Sequence, residues 1–162
     1  MNVATLKKEP VIIGVISDTH NLLRPEVSTA FNGVDYIIHA GDIGSRDVLN
    51  SLETIAPTIA VAGNTDSPMV FSDLDNTAIL EINKINILAI HNIDHLDLDP
   101  KTAGIEIVVY GHSHKPSIEY KKEVLFFNPG SAGPVRFDLP VSVGILKITR
   151  GKIVPDLVYI GS

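Results

Sequence analysis

Val11-Ile12-Ile13-Gly14-Val15-Ile16-Ser17-Asp18-Thr19-His20 opens with six apolar residues and closes on a polar tail in which Asp18 and His20 stand one residue apart. The apolar head is rich in Val and Ile and does not alternate with polar residues, so it reads as a strand buried on both faces. The same pattern recurs along the chain. Tyr36-Ile37-Ile38-His39-Ala40 runs into Gly41-Asp42, and Thr58-Ile59-Ala60-Val61-Ala62 into Gly63-Asn64-Thr65-Asp66. Ile85-Asn86-Ile87-Leu88-Ala89-Ile90 runs into His91, and Ile105-Glu106-Ile107-Val108-Val109-Tyr110 into Gly111-His112-Ser113-His114.

Two amphipathic segments separate the first three runs. Pro25 to Phe31 begins with a proline suited to a first helical turn. Ser45 to Ile55 begins with a serine suited to an N-cap, and Val48, Leu49, Leu52 and Ile55 form one helical stripe. The resulting β-α-β-α-β order predicts a layered α/β fold. The second half changes character: residues 118–127 and 141–160 read as strands with tight turns at 120–123 and 149–152, and little helix. With no repeat, low-complexity tract or linker, residues 1–162 are expected to form one domain.

The composition narrows the function classes. Lys and Arg number 13 against 19 Asp and Glu, a formal charge of −6, and no Lys/Arg run exceeds two, which disfavours a broad nucleic-acid surface. Cysteine is absent, so there is no disulfide framework or thiolate site, and a metal would be held by nitrogen and oxygen. No apolar stretch approaches the ~18 residues of a membrane span, and Met1 to Pro10 lacks the apolar core of a secretory signal. A cytoplasmic protein acting on a small molecule is the expectation, with neither a nucleic-acid surface nor a membrane among its partners, and with homo-oligomerisation compatible.

Five strand ends thus deliver Asp, Asn or His to one edge, where ligands bind in open α/β sheets. Asp and neutral His suit Mn, Fe, Zn or Ni, and Asn adds a neutral oxygen. Asp-x-His in an extended turn can aim both side chains at one point, and His112 and His114 repeat that spacing. A carboxylate can bridge two cations, and two divalent ions roughly 3.5–4 Å apart form a clamp for displacement at phosphorus. Two such ions bring +4 and the carboxylates of Asp18 and Asp42 return −2, leaving a surplus that suits a hydroxide and an anionic ester. Each motif alone has a plainer reading: a capped turn for Asp18-x-His20, Gly41-Asp42 and Gly63–Asp66, a packed core histidine for His91. Five in this order make chance a poor explanation.

As a set, Asp18-x-His20, Gly41-Asp42, Gly63-Asn64-x-Asp66, His91 and Gly111-His112-x-His114 resemble the calcineurin-like metallophosphoesterase superfamily, in particular its small prokaryotic phosphodiesterases. The later Asn128-Pro129-Gly130-Ser131 matches that subgroup too. The resemblance implies a four-layer αββα sandwich with mixed sheets and a strand-rich C-terminal half. It implies a dinuclear site in which Asp18, His20 and His114 hold one metal, Asn64, His91 and His112 the other, and Asp42 bridges. It marks Asp42, Asn64 and Thr65 as the catalytic positions. Mn²⁺ is the leading metal, with Ni²⁺, Fe²⁺ and Zn²⁺ as alternatives, and a bridging hydroxide would attack a small phosphate diester in line.

Two positions depart from the family pattern. Many relatives carry His where this chain has Thr65, a hydrogen-bond donor but a poor general acid; Asp66 is expected to orient the loop. Relatives often read His-Gly-His where this chain has His91-Asn92-Ile93, and His95 is close enough in sequence to substitute. The acidic segment 92–104, with Asp94, Asp97 and Asp99, reads as a solvated loop, or functionally as a rim that discourages polyanions. His39 reads as a packing or ligand-orienting residue, and the Asn128–Ser131 turn as near the metals with backbone donors for phosphate. Arg24 and Arg136 read as solvated surface residues, with a phosphate clamp as the functional alternative. Two further readings compete with a dinuclear phosphodiesterase: a mononuclear hydrolase, and a non-catalytic scaffold like the retromer subunit of the same superfamily.

Overall fold

The computed structural model describes residues 2–5 and 9–161. Of the N-terminal stretch read above as lacking a signal, residues 1 and 6–8 lie outside the described residues, as does residue 162 of the expected domain. Eleven strands and two α-helices are described: β1 Asn2–Ala4, β2 Val11–Ile16, α1 Pro25–Ala30, β3 Tyr36–His39, α2 Arg46–Glu53, β4 Thr58–Ala60, β5 Thr77–Ile82, β6 Ile85–Ile90, β7 Ile107–Val109, β8 Ser117–Lys121, β9 Val124–Asn128, β10 Ser142–Thr149 and β11 Lys152–Tyr159. They form two mixed sheets, one in the order β1-β5-β6-β7-β9-β8 and the other β11-β10-β2-β3-β4. Within the second, β2, β3 and β4 are parallel and α1 and α2 are their crossovers.

The lack of alternation in the apolar runs now has its cause. In β2, Val11, Ile13 and Val15 face the other sheet, while Ile12 and Ile16 face the helices. In β6 and β9 the same division sends Ile85, Ile87, Ala89, Leu125 and Phe127 between the sheets and Leu88, Ile90, Val124 and Phe126 to the outside. The helical layer seals the five-stranded sheet with Val27, Phe31, Val48, Leu49 and Leu52. Burying each such side chain contributes about 1.5–3 kcal/mol. On the outer face of the six-stranded sheet the fourth layer is slight. The segment after β6, with a 3-10 turn at Ile93–His95, supplies Ile93, Leu96 and Ile105 as cover.

Several boundaries differ from expectation. The 58–62 run is a strand only to Ala60, and the 105–110 run only from Ile107 to Val109. Ser45 stands at the N-cap of α2, yet its side chain makes no capping hydrogen bond. The short β1 and the whole of β5 were not foreseen. The hairpin between β5 and β6 turns through Asn83 and Lys84, both at positive φ. That is the backbone of a two-residue hairpin turn, written without the usual glycine. Among the described residues no helix is long and apolar enough to cross a membrane.

Candidate metal centre

The polar tails of β2, β3 and β4 leave one sheet, and those of β6 and β7 leave the other. The crevice is therefore shared by two packed sheets rather than set on the edge of one open sheet. Five of the expected donor residues sit in the left-handed backbone region: Asp18 (φ 56°), His20 (45°), Asp42 (56°), His112 (72°) and His114 (63°). Non-glycine residues rarely adopt that conformation, and it persists only where the surroundings hold it. Backbone bonds between the tails do so. Asp18 N–H donates to Gly41 O (3.0 Å), His20 N–H to Asp42 O (3.0 Å), Asn21 N–H to Ile43 O (2.8 Å) and Gly111 N–H to His91 O (3.0 Å).

The side chains converge. Asp18 Oδ1 lies 3.9 Å from His20 Nε2, 3.9 Å from His91 Nε2 and 3.4 Å from His114 Nε2. Asp42 Oδ2 lies 3.7 Å from His20 Nε2 and 3.3 Å from His91 Nε2. Donor atoms on one cation at about 2.0–2.2 Å are about 3.0–3.5 Å apart, so these spacings fit within about half an ångström. Two compact groups result, Asp18 with His20 and His114, and Asp18 with Asp42 and His91. Asn64 joins the second, its Oδ1 3.1 Å from His91 Nε2. The exposed His112 belongs to neither group; its ring stands edge-on to that of His91 at 5.2 Å between centroids.

Two observations test whether a cation suits this cluster. First, His91 Nδ1 is 2.7 Å from Ala40 O, a carbonyl that can only accept, so Nδ1 carries the proton. The neutral ring then presents the Nε2 lone pair to oxygens of Asn64, Asp42 and Asp18, which only a proton or a cation reconciles. Second, Asp18 Oδ1 and His20 Nε2 are buried without a hydrogen-bond partner, though both face the centre. The remaining oxygens are occupied from behind: Asp18 Oδ2 accepts from Ser17 Oγ (2.8 Å) and His112 N–H (3.1 Å), and Asp42 Oδ1 from Thr65 N–H (2.9 Å). Each carboxylate is thus aimed inward by one oxygen, and the donor set fits divalent cations.

The electrostatics agree. Burial acts to raise the Asp18 pKa, but the His114 ring 3.4 Å from Oδ1 and the charge on His91 outweigh it and lower it. Burial opposes ionisation of Asp42 too, yet His91 and Thr65 hold its carboxyl well below the usual carboxylate range. Burial disfavours charge on His91, but Asp42 and Asp18 prevail and raise its pKa. The His20 ring is lowered, by burial first, with the charge of Arg136 acting the same way against Asp42 and Asp18.

Behind the donors lies a set of orienting residues. Asp66 accepts from Ile43, Gly44 and Gly63 N–H groups, as expected of a loop-orienting residue. His39 Nδ1 accepts from Gly41 N–H, so its Nε2–H donates to Thr19 Oγ1 (3.0 Å), which donates to Ile43 O (2.7 Å). Complete burial pushes the His39 pKa down to about 3, so the ring is neutral. The Thr65 hydroxyl is directed at Asp42, and His95 is an exposed residue outside both groups.

Two readings change. The Asn128–Ser131 turn braces the ligand loops instead of presenting donors to phosphate. Asn128 Nδ2 donates to Gly111 O and Ser113 Oγ, and its Oδ1 takes the Gly130 N–H. Ser131 Oγ donates to Asp18 O, and Ala132 N–H to Ser17 O. Arg24 is half-buried, not solvated, and donates to Gly133 O (3.1 Å). Arg136 is exposed as expected, but lies near enough to His20 to act on its charge. Sequence reasoning missed Ser17, whose only signal was its place beside Asp18.

Residues 11–151 match the family described as the calcineurin-like phosphoesterase superfamily domain. A probable metallophosphoesterase of Methanocaldococcus jannaschii is 39% identical over 134 residues, covering 75% of this chain and 68% of the relative. A phosphodiesterase of the same organism is 31% identical over 153 residues, covering 83% and 91%. Among solved structures, Vacuolar Protein Sorting 29 from Cryptosporidium parvum superposes with a TM-score of 0.75 at 19% identity, over 94% of this chain and 99% of that one. At that identity the likeness concerns the fold alone.

Proposed function

The chain belongs to the calcineurin-like phosphoesterase superfamily, and from that premise we propose that it is a phosphodiesterase that hydrolyses small phosphate diesters with two divalent cations, Mn²⁺ foremost. Asp18, His20 and His114 would hold one ion and Asn64, His91 and His112 the other, with Asp42 contributing to both. The observation that carries this reading is the convergence of Asp18 Oδ1 and Asp42 Oδ2 on His20, His91 and His114 at 3.3–3.9 Å. When bound, the cations supply Lewis acidity at phosphorus and an activated water for in-line displacement.

The protein's own contribution is placement. Ser17 Oγ and the His112 N–H fix one oxygen of Asp18, and Thr65 fixes one of Asp42, so the opposite oxygens face the centre. Ala40 O fixes the tautomer of His91 so that Nε2 is the donor atom. His112 is on the rim, its ring edge-on to that of His91 at 5.2 Å between centroids. The charge of the exposed Arg136 reaches His20 and adds to the positive potential around the centre. Donor residues at all seven positions favour catalysis over a scaffold role.

The test is hydrolysis of bis-p-nitrophenyl phosphate and of p-nitrophenyl phosphate by metal-stripped protein, with Mn²⁺, Ni²⁺, Fe²⁺ or Zn²⁺ added back. The diester is expected to turn over, Mn²⁺ to restore the most activity, and the monoester to lag. Turnover that survives exhaustive chelation, or none with any of the four ions, would overturn the reading.

A further inference from the structure

Beside Asn64 and His91 the surface opens into a cleft of about 470 Å³, within the usual range for small-molecule sites. One wall comes from the loop between β4 and β5, with Asn76 and Thr77 at its end, and the other from the segment after β6, with Asn92, His95 and Asp97. Ala62 and Ile90 supply apolar surface between them. Because Asn64 and His91 belong to both the cleft and the metal centre, a group lodged there is within reach of the reacting phosphorus.

The lining has a definite chemistry. It contains amides, a hydroxyl, two imidazoles and one carboxylate, but no Lys or Arg. Amides and hydroxyls both donate and accept, which matches hydroxyl or carbonyl groups on an organic arm. Asn92 Oδ1 already accepts from Asp94 N–H (3.0 Å), so its Nδ2 is the part that donates. A second phosphate on that arm would meet no cation and would face the Asp97 carboxylate. Rejection of a competitor by like charge is as much a source of specificity as attraction.

Resting on the phosphodiesterase reading, we infer that this cleft receives an uncharged, hydroxyl-bearing arm of the diester, of sugar or nucleoside size. Asn76, Thr77 and His95 are the specificity-determining contacts, and Asp97 excludes arms that carry a further phosphate. The phosphate undergoing hydrolysis stays at the metal centre; the cleft selects what is attached to it.

Three chromogenic diesters test this with the Mn²⁺-loaded full chain: bis-p-nitrophenyl phosphate, the p-nitrophenyl ester of thymidine 5′-phosphate, and the same ester carrying an additional 3′-phosphate. The wild-type protein is expected to show a lower KM for the thymidine ester than for the bis-aryl ester, and to use the 3′-phosphorylated ester at least about tenfold less well. Asn76→Ala and His95→Ala should each lower the kcat/KM ratio of thymidine ester to bis-aryl ester by about fivefold to tenfold, chiefly through KM; this corresponds to one hydrogen bond of about 1 kcal/mol. Asp97→Asn should raise the ratio of phosphorylated to unphosphorylated thymidine ester by about tenfold. Metal content and Tm are measured for each variant, and His95→Gln replaces His95→Ala if the latter does not fold. Equal use of all three esters by wild type, or variants that scale all three alike, would overturn the inference and leave the phosphodiesterase reading standing. Absence of turnover on the bis-aryl ester with every divalent ion would instead remove the parent reading and this inference with it.

Discussion

Asp42 is held from both ends: Thr65 N–H occupies Oδ1, and Oδ2 faces His20 on one side and His91 on the other. Replacing it with Asn removes a charge from the centre and puts an amide where both halves of the proposed donor set meet. Since losing a residue that merely orients a ligand costs about 10–100-fold, Asp42→Asn is expected to lower turnover of the aryl diester by more than about 100-fold, more than any other single change. Elemental analysis should show less bound metal. Full metal content with undiminished turnover would remove the two-ion scheme. His39 lies one step back, and its effect is on stability. Its folded pKa is about 3 against about 6.5 for a free imidazole, so the unfolded chain takes up a proton that the folded ring refuses. The stabilising contribution is fully present above pH 6.5 and is lost as pH falls from there toward 3, at up to about 1.4 kcal/mol per pH unit. The raised pKa of His91 works with the opposite sign, its contribution being lost as pH rises through the folded value, so the informative quantity is a difference between proteins. Urea unfolding of metal-free wild type and His39→Gln from pH 4 to 6.5 should show a slope shallower by about one proton in the variant. Identical slopes would mean that the ring is not held neutral.

The strand ends and their loops were legible because burial on both faces leaves an unbroken apolar run, and each run closes abruptly on a donor residue. The β5 strand escaped because its pattern is mixed, Thr77 exposed and only Leu80 and Ile82 buried, and because its hairpin turn is Asn83-Lys84 rather than a glycine pair. The donor residues of the site were legible from spacing. Their left-handed backbones and the bracing by Asn128, Ser131 and Arg24 were not, since those depend on separate loops meeting in one register, Ser131 lying 113 residues from Asp18 and Arg24 109 from Gly133. The same loops explain two glycines. A Cβ on Gly63 would overlap Asp42 Oδ1 and N, and one on Gly111 would overlap Ser17 Oγ and crowd Asp18 Oδ2 at 2.7 Å. Gly63→Ala should therefore displace the Asp42 carboxylate, with loss of most diesterase activity and metal retention although the substitution adds one methyl group. A variant crystal structure with Asp42 unmoved would contradict this. Asn128→Ala leaves Gly111 O and the Gly130 N–H without their buried partner, and should cost about 1–3 kcal/mol in unfolding experiments.

Across the whole molecule the donor set divides by sheet. Asp18, His20, Asp42 and Asn64 follow strands of the five-stranded sheet, whereas His91, His112 and His114 follow strands of the six-stranded one. Each of the two observed groups already mixes the sheets through His114 or His91. A bound cation would therefore tie two layers that are otherwise joined by apolar packing and a few loop hydrogen bonds, and would relieve the crowding of Asp18, Asp42 and Asn64 oxygens around one lone pair of His91. Both effects favour the folded state, so metal should stabilise by mass action: about 2.7 kcal/mol at free metal 100 times Kd. For a chain of this length that is a rise in Tm of about 5–10 °C. Hydrogen exchange locates the effect. Protection should increase together in the loops at 17–21, 41–44 and 63–66 and in those at 91–95 and 111–114, on both sheets, when Mn²⁺ is added to metal-free protein. Protection confined to one sheet's loops would place the ion on that sheet alone, and would replace the shared centre with a mononuclear one.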